Sequence, residues 1–190
     1  AKQLAGSLGF VGLCRADRVK IETLGQPLRT PGPVLRGRRS LWRMMDYLDG
    51  IEPGENATLA EGIKNFCLRN PGKGIIVLIS DLMDKHGYED ALRYLVARQM
   101  DAYVIHVLSA EELEPELKGD LRLVDSEDSD FAEITISVPL LKRYKQTLAS
   151  FIDGARTFCT KRGMAYMLAQ NQLPVEQLIG NYLRQRGLVR

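Results

Sequence analysis

The stretch Gly74-Ile75-Ile76-Val77-Leu78-Ile79-Ser80-Asp81 decides the fold. Ile75 to Ile79 is apolar without alternation, the pattern of a parallel strand covered on both faces. It is far too short to cross a bilayer. Upstream, Thr58 caps a helix with Glu61 as its capping-box partner and Leu59, Ile63 and Phe66 as its apolar stripe. Asn70-Pro71-Gly72 stops that helix. Downstream, Tyr88 to Gln99 reads as a helix with Ala91, Leu92, Leu95 and Val96 inward, and Ala102 to Leu108 as a second buried strand. Helices alternating with such strands predict an α/β fold, a doubly wound and mostly parallel sheet with helices on both faces.

Working outward, Leu4, Leu8 and Val11 mark an opening helix, and Arg18 to Leu24 alternates as a strand with one wet face. Gly25 to Pro33 is a connection, and Val34 to Arg36 a short return strand at a sheet edge. Ser40 then caps a helix carrying Leu41, Met44, Met45 and Leu48. Leu121 to Val124 and Ala132 to Ser137 flank an acidic turn, an added β-hairpin near 121–137. Pro139 starts a long helix with Leu141, Tyr144, Leu148, Phe151, Ala155 and Phe158 on one face. Met164 to Leu168 is a last strand, and Pro174 opens a final helix. A chain of 190 residues without repeats is expected to form one domain spanning 1–190.

Composition is that of an ordinary globular protein, with 45% hydrophobic and 26% charged residues. That excludes a disordered chain, a coiled coil and a collagen-like chain. The net charge of +2 hides segregation. Between Pro27 and Arg43 five arginines meet no acid, giving +5; from Ser109 to Glu133 ten acids meet two bases, giving −8; from Val138 to Arg190 nine bases meet two acids, giving +7. Such blocks steer a charged partner or neutralise one another across the fold. No basic-then-apolar leader opens the sequence, so a cytoplasmic location is expected, with Cys14, Cys67 and Cys159 as reduced thiols.

In an open parallel sheet, ligands bind outside the carboxyl ends of the strands. Ser80-Asp81 leaves the decisive strand at that rim, where a carboxylate suits a hard cation such as Mg²⁺. The same two residues serve equally well as a simple turn, and Thr58 as a simple cap. Other chemistries lack their residues. Gly6, Gly9 and Gly12 are spaced for helix packing and not for phosphate binding. His86 and His106 are the only histidines, which excludes a multi-histidine metal site, and His106 reads as a core residue. Glu111-Glu112 reads as a solvated loop. The arginines from Arg36 to Arg43 lack interleaved aromatics except Trp42, which reads as partly core, so nucleic-acid binding is not expected.

Asp17-Arg18-Val19-Lys20-Ile21, Gly37-Arg38-Arg39-Ser40, Thr58-Leu59, Ile79-Ser80-Asp81-Leu82 and Tyr103-Val104-Ile105-His106-Val107-Leu108 together form a recognisable series. It continues through Gly119-Asp120-Leu121 and Leu123-Val124-Asp125-Ser126-Glu127 to Arg186-Gly187-Leu188. In order and spacing the chain resembles the bacterial von Willebrand factor A-like proteins of domain-of-unknown-function family 58. The resemblance implies an integrin-type A domain, whose top face carries a metal-ion-dependent adhesion site. Such a site takes ligands from a D-x-S-x-S segment after the first strand, from a threonine and from an aspartate. By matching position, Thr58 is the threonine and Asp81 the aspartate, with Ser80 adjacent. Relatives encoded beside MoxR-type AAA+ ATPases imply a non-enzymatic module that assists such an ATPase in assembly or maturation of other proteins. A metal-assisted hydrolase using the same crevice and a purely structural oligomer are the alternatives.

Within the 190 residues, the resembled first strand and its D-x-S-x-S loop have no counterpart, so an N-terminally truncated fold is expected. An unfilled central position exposes two rows of backbone groups, each costing about 1–3 kcal/mol if buried unpaired. A domain has only about 5–15 kcal/mol of stability. The expectation is therefore a fragment of a longer frame, a homo-oligomer formed by strand exchange, or rearrangement of 18–24 against 74–79. Thr58 and Asp81 alone offer one hydroxyl and one carboxylate, so no tight Mg²⁺ or Mn²⁺ is expected in this chain, though a full-length parent would have the remaining ligands.

Overall fold

Small residues let the first helix, α1 (Lys2–Cys14), lie close on its neighbours: a Cβ at Gly9 would stand 2.5 Å from Met44 Sδ, and one at Gly12 2.8 Å from Val19 Cγ2. The computed structural model describes residues 1–24, 32–52, 58–117, 119–124 and 131–183. After α1 come β1 (Arg18–Lys20) and β2 (Val34–Arg36), an antiparallel pair with Val19 opposite Leu35. The ladder of β1 is shorter than the alternation of 18–24 predicts. A turn of 3₁₀ helix leads into α2 (Leu41–Asp49). Ser40 precedes α2 without capping it through its side chain, because its hydroxyl donates back to the Arg36 carbonyl at 2.8 Å. Most of the expected connection 25–33, the acidic turn at 125–130 and the chain end from 184 lie outside the described residues.

Next follow α3 (Leu59–Arg69), β3 (Ile75–Ser80), α4 (Glu89–Ala97) and β4 (Asp101–Leu108). A single-turn α5 (Ala110–Leu113) precedes the hairpin β5 (Gly119–Val124) and β6 (Phe131–Ile136). The chain then forms α6 (Val138–Lys161), β7 (Ala165–Gln170) and α7 (Val175–Gln177), which runs on as a π-helical turn over Leu178–Leu183. Two sequence readings change here. Glu111 and Glu112 sit in α5 and not in a loop, because Ser109 and Glu112 close a reciprocal capping box. The first ten residues of α6, 138–147, include no buried residue, and its burial begins at Leu148.

The central sheet has the order β3-β4-β7, all parallel, with Ser80 beside His106 and His106 beside Leu168. Side-chain alternation sends Leu78, Val104 and Tyr166 to one face, where they pack with Ile63, Leu92 and Ala155 from α3, α4 and α6. Ile105 and Met167 point the other way, to Leu4 of α1 and Leu178. Helices thus cover both faces. Each fully buried leucine or isoleucine contributes about 1.5–3 kcal/mol. Among the described residues no helix is long and apolar enough to cross a membrane.

The decisive strand is not buried on both sides of its length. Among the described residues β3 pairs only with β4, only Leu78 is buried, and Ile75 is 56% exposed. The expected rearrangement of 18–24 onto 74–79 does not occur, since β1 pairs with β2 and stands in a separate sheet. Its position is held from three sides. Val19 packs at Gly12, Leu24 packs at Gly62, and Glu22 is paired with Lys20 and Arg69 while its own side chain is only 4% exposed. The free edges of β1 and β3 face an open cleft, so water reaches their backbone groups and the full burial penalty does not arise. Trp42 is also corrected: it is 78% exposed on α2, and Met44 takes the buried position at 0%. One residue turns the helix by about 100°, so Trp42, next to Leu41 in sequence, falls outside the face that buries Met44 and Leu48.

Candidate functional site

A cleft of about 1280 Å³ lies between β1 and β3, with α1 on one side and α3 on the other. Thr58, Ser80 and Asp81 all line it, so the structure brings the three sequence-predicted residues to one cavity. Each arrives there through local backbone chemistry. Thr58 has extended φ and ψ and accepts a hydrogen bond from the Glu61 N–H at 3.2 Å, as a helix cap does. Ser80 Oγ accepts from the Leu82 N–H and Asp81 Oδ1 from the Met83 N–H, both at 3.0 Å. These bonds fold the chain sharply as it leaves β3. Leu82 takes a left-handed φ of 59°, a strain of about 1–3 kcal/mol. It is held there by burial, with 1% of its surface exposed.

Asp84 completes the rim, and the sequence reading missed it. Its Oδ2 accepts from the Leu59 N–H at 2.5 Å, and its Oδ1 accepts from the His86 N–H at 2.7 Å and lies 3.3 Å from His86 Nδ1. Burial works to raise its pKa, but the hydrogen bonds from Leu59 and His86 and the neighbouring imidazole hold it below the ordinary aspartate range. The signal available in sequence was only a polar turn, Asp84-Lys85-His86-Gly87. Its partner, Leu59, lies 25 residues earlier, and no local pattern announces that contact.

Under the rim, His106 is fully buried beside Ser80. Its Nδ1 is 2.7 Å from the Tyr166 hydroxyl, and the Phe151 ring packs edge-on at 5.6 Å. Among the described residues its Nε2 has no hydrogen-bond partner of regular geometry. Burial lowers its pKa, against a smaller opposing pull from the Asp81 main chain and from the Asp81 and Glu112 charges. The ring is therefore neutral near pH 7, a core residue as expected but only half satisfied.

As cation ligands, the residues present do not make a sufficient set. Thr58 Oγ and one oxygen of Asp81 already accept backbone hydrogen bonds, and both oxygens of Asp84 do so. Among the described residues no group of three or more His, Cys, Asp or Glu is placed to hold a metal. Mg²⁺ prefers near-octahedral oxygen coordination, which one carboxylate and one hydroxyl do not supply. The arrangement offers hydrogen-bonding groups and the carboxylates of Asp81 and Asp84 at the rim of a cleft lined by apolar residues of α1, α3 and β3 and by charged residues such as Arg18, Lys20 and Glu22.

The comparison with protein families turns on the same stretches. The model of the family described as "Protein of unknown function DUF58" matches residues 1–150, which include α1, the cleft, its rim and β4. The chain belongs to the DUF58 family. This agrees with the family resemblance of the sequence and leaves its von Willebrand factor A-like and MoxR associations as proposals. No curated protein and no solved structure matches the chain.

Proposed function

We propose that this DUF58 chain is a non-enzymatic protein-interaction module of the von Willebrand factor A type, working in the cytoplasm with a MoxR-type AAA+ ATPase in assembly or maturation of other proteins. The observation that carries the reading is the convergence of Thr58, Ser80 and Asp81 on one cleft at the carboxyl end of β3, where open parallel sheets bind their partners. In this reading the chain is an N-terminally incomplete A-type domain spanning 1–190, with β5 and β6 as an added hairpin. Its adhesion site is a remnant that binds no divalent cation tightly. Mg²⁺ or Mn²⁺ belongs to a longer parent with further oxygen ligands.

A direct test is binding of the purified chain to a MoxR-type ATPase, with Asp81→Ala as the variant. The reading expects a complex weakened about tenfold or more by the substitution, the loss typical of a central interface contact. A complex indifferent to Asp81→Ala would overturn the role of the rim. The second reading is a metal-assisted hydrolase at the same crevice, favoured by the carboxylate–imidazole pair of Asp84 and His86. Against it, Asp84 is committed to the Leu59 N–H, and Ser80 Oγ accepts from the Leu82 backbone. Turnover of phosphoester or peptide substrates, abolished by Asp81→Ala, would establish that reading instead.

A further inference from the structure

We infer that the arginine–tryptophan face of α2 takes a second copy of this chain, which docks there through its own acidic surface between α5 and β5. The inference goes beyond the interaction-module reading and does not use its rim. Arg38, Arg39, Trp42, Arg43 and Met45 are not among the residues that line the cleft. Its first support is a side chain on the outer side of a helix. Met44 and Leu48 pack against glycines of α1, and Trp42 stands about 200° round α2 from Met44. The chain's only tryptophan therefore faces outward, 78% exposed, and belongs to no buried cluster.

Its neighbours give that face a chemistry. Residues three and four apart lie side by side on a helix. Arg38 and Arg39 thus stand one turn before Trp42, and Met45 one turn after it, with Arg43 beside Arg39. All five are exposed, and among the described residues the three arginines form no ion pair. Three arginines against Asp46, on the next turn, leave the face at +2. Tryptophan, methionine and arginine are enriched in protein interfaces, whereas lysine is depleted there. A membrane surface fits worse, because the apolar face of α2 is already packed against α1. A nucleic acid fits worse too, since it asks for a charged track with several stacking rings.

The complement is carried by the chain itself. Glu111 on α5 and Glu114 and Glu116 after it are exposed, with Leu117 exposed beside them. They belong to the block of −8 between Ser109 and Glu133. Opposite blocks neutralise one another either across the fold or between molecules. Among the described residues no ion pair joins these glutamates to Arg38, Arg39 or Arg43. Nor does one join them to Lys142, Arg143 or Lys145, although the Tyr144 hydroxyl ties the start of α6 to the Glu112 carbonyl. Each copy thus offers a cationic face with an apolar anchor and an anionic face with an apolar contact. Exposed charge pairs alone hold weakly. The glutamates orient the encounter, and Trp42 set against Leu117 anchors it. Because unlike surfaces meet, copies add head to tail or close reciprocally as a pair.

The test is sedimentation velocity of the 190-residue chain over a range of concentration, read beside its tryptophan emission. With one tryptophan in the chain, that emission reports this face alone. The expected result is association with a blue shift as concentration rises, weakened about tenfold or more between about 0.05 and 0.5 M salt. Trp42→Ala should weaken it about tenfold or more. Two charge reversals decide the partner surfaces: Arg38→Glu, Arg39→Glu and Arg43→Glu together, and Glu111→Lys, Glu114→Lys and Glu116→Lys together. Each alone should sediment as a monomer, and an equimolar mixture should associate, because opposite charges meet again at each contact. A wild type that stays monomeric to millimolar concentration would overturn the inference. So would association indifferent to both reversals, or a mixture that stays apart. A blue shift produced by phosphatidylserine vesicles or duplex DNA, in a chain that remains monomeric, would overturn it and give the face to that ligand.

Discussion

The Asp84 carboxylate accepts the Leu59 N–H at 2.5 Å and so ties the turn leaving β3 to the first residue of α3. Thr58 caps the same helix end from the other side, through the Glu61 N–H. Two caps on one helix start leave little freedom in the rim. The acidic lip of the cleft is thus set by α3 as much as by β3.

Asp84→Asn should weaken this tie, and Asp84→Ala should remove it, at a cost of about 1–3 kcal/mol in urea unfolding. The pH dependence follows from the lowered pKa. The folded carboxylate gives up its proton more easily than the unfolded one. Its contribution is present above the unfolded value near 3.8 and is lost as pH falls through the folded value. Asp84→Asn should flatten that acid limb below about pH 4, in denaturant titrations across the range.

His106 gives the opposite case among titrating groups, since burial holds its pKa below the ordinary histidine value of 6.5. The unfolded chain takes up a proton there before the folded one does. Stability should be full above pH 6.5 and fall as pH drops toward the folded value. His106→Gln should remove this slope between neutral and mildly acidic pH. Tyr166→Phe, which strips the partner of Nδ1, should cost about 1–3 kcal/mol by unfolding at pH 7.

Much of this architecture is legible in the sequence, for reasons that particular residues show. Ile75–Ile79 and Ala102–Leu108 declare themselves as parallel strands, because apolar runs bounded by turn residues admit few other readings. Thr58 is readable as a cap because capping is local. Its place on the same cleft as Asp81 is a tertiary fact that the family resemblance supplied and spacing could not. Asp84, Glu22 and the His106–Tyr166 pair were not legible. Their partners lie 25, 47 and 60 residues away, and nothing at either end marks them. Trp42 failed for a different reason, since a helical stripe fixes a face to within one position and no better.

The two neighbours in α2 test that last point. Met44→Ala should cost about 2–5 kcal/mol, because it empties a buried site against α1. Trp42→Ala should change stability by no more than about 0.5 kcal/mol, as at other exposed positions. Thermal or urea unfolding of the two variants side by side decides it.

Hydrogen exchange of the isolated 190-residue chain, residue by residue along 75–80 and 103–108, tests the open cleft most directly. The paired strand β4 should be protected throughout. In β3, the amides turned toward the cleft should exchange close to the rate of unstructured peptide, and those bonded to β4 slowly. Uniform protection along 75–80, equal to that of 103–108, would mean that the edge is already covered, and it would contradict the account.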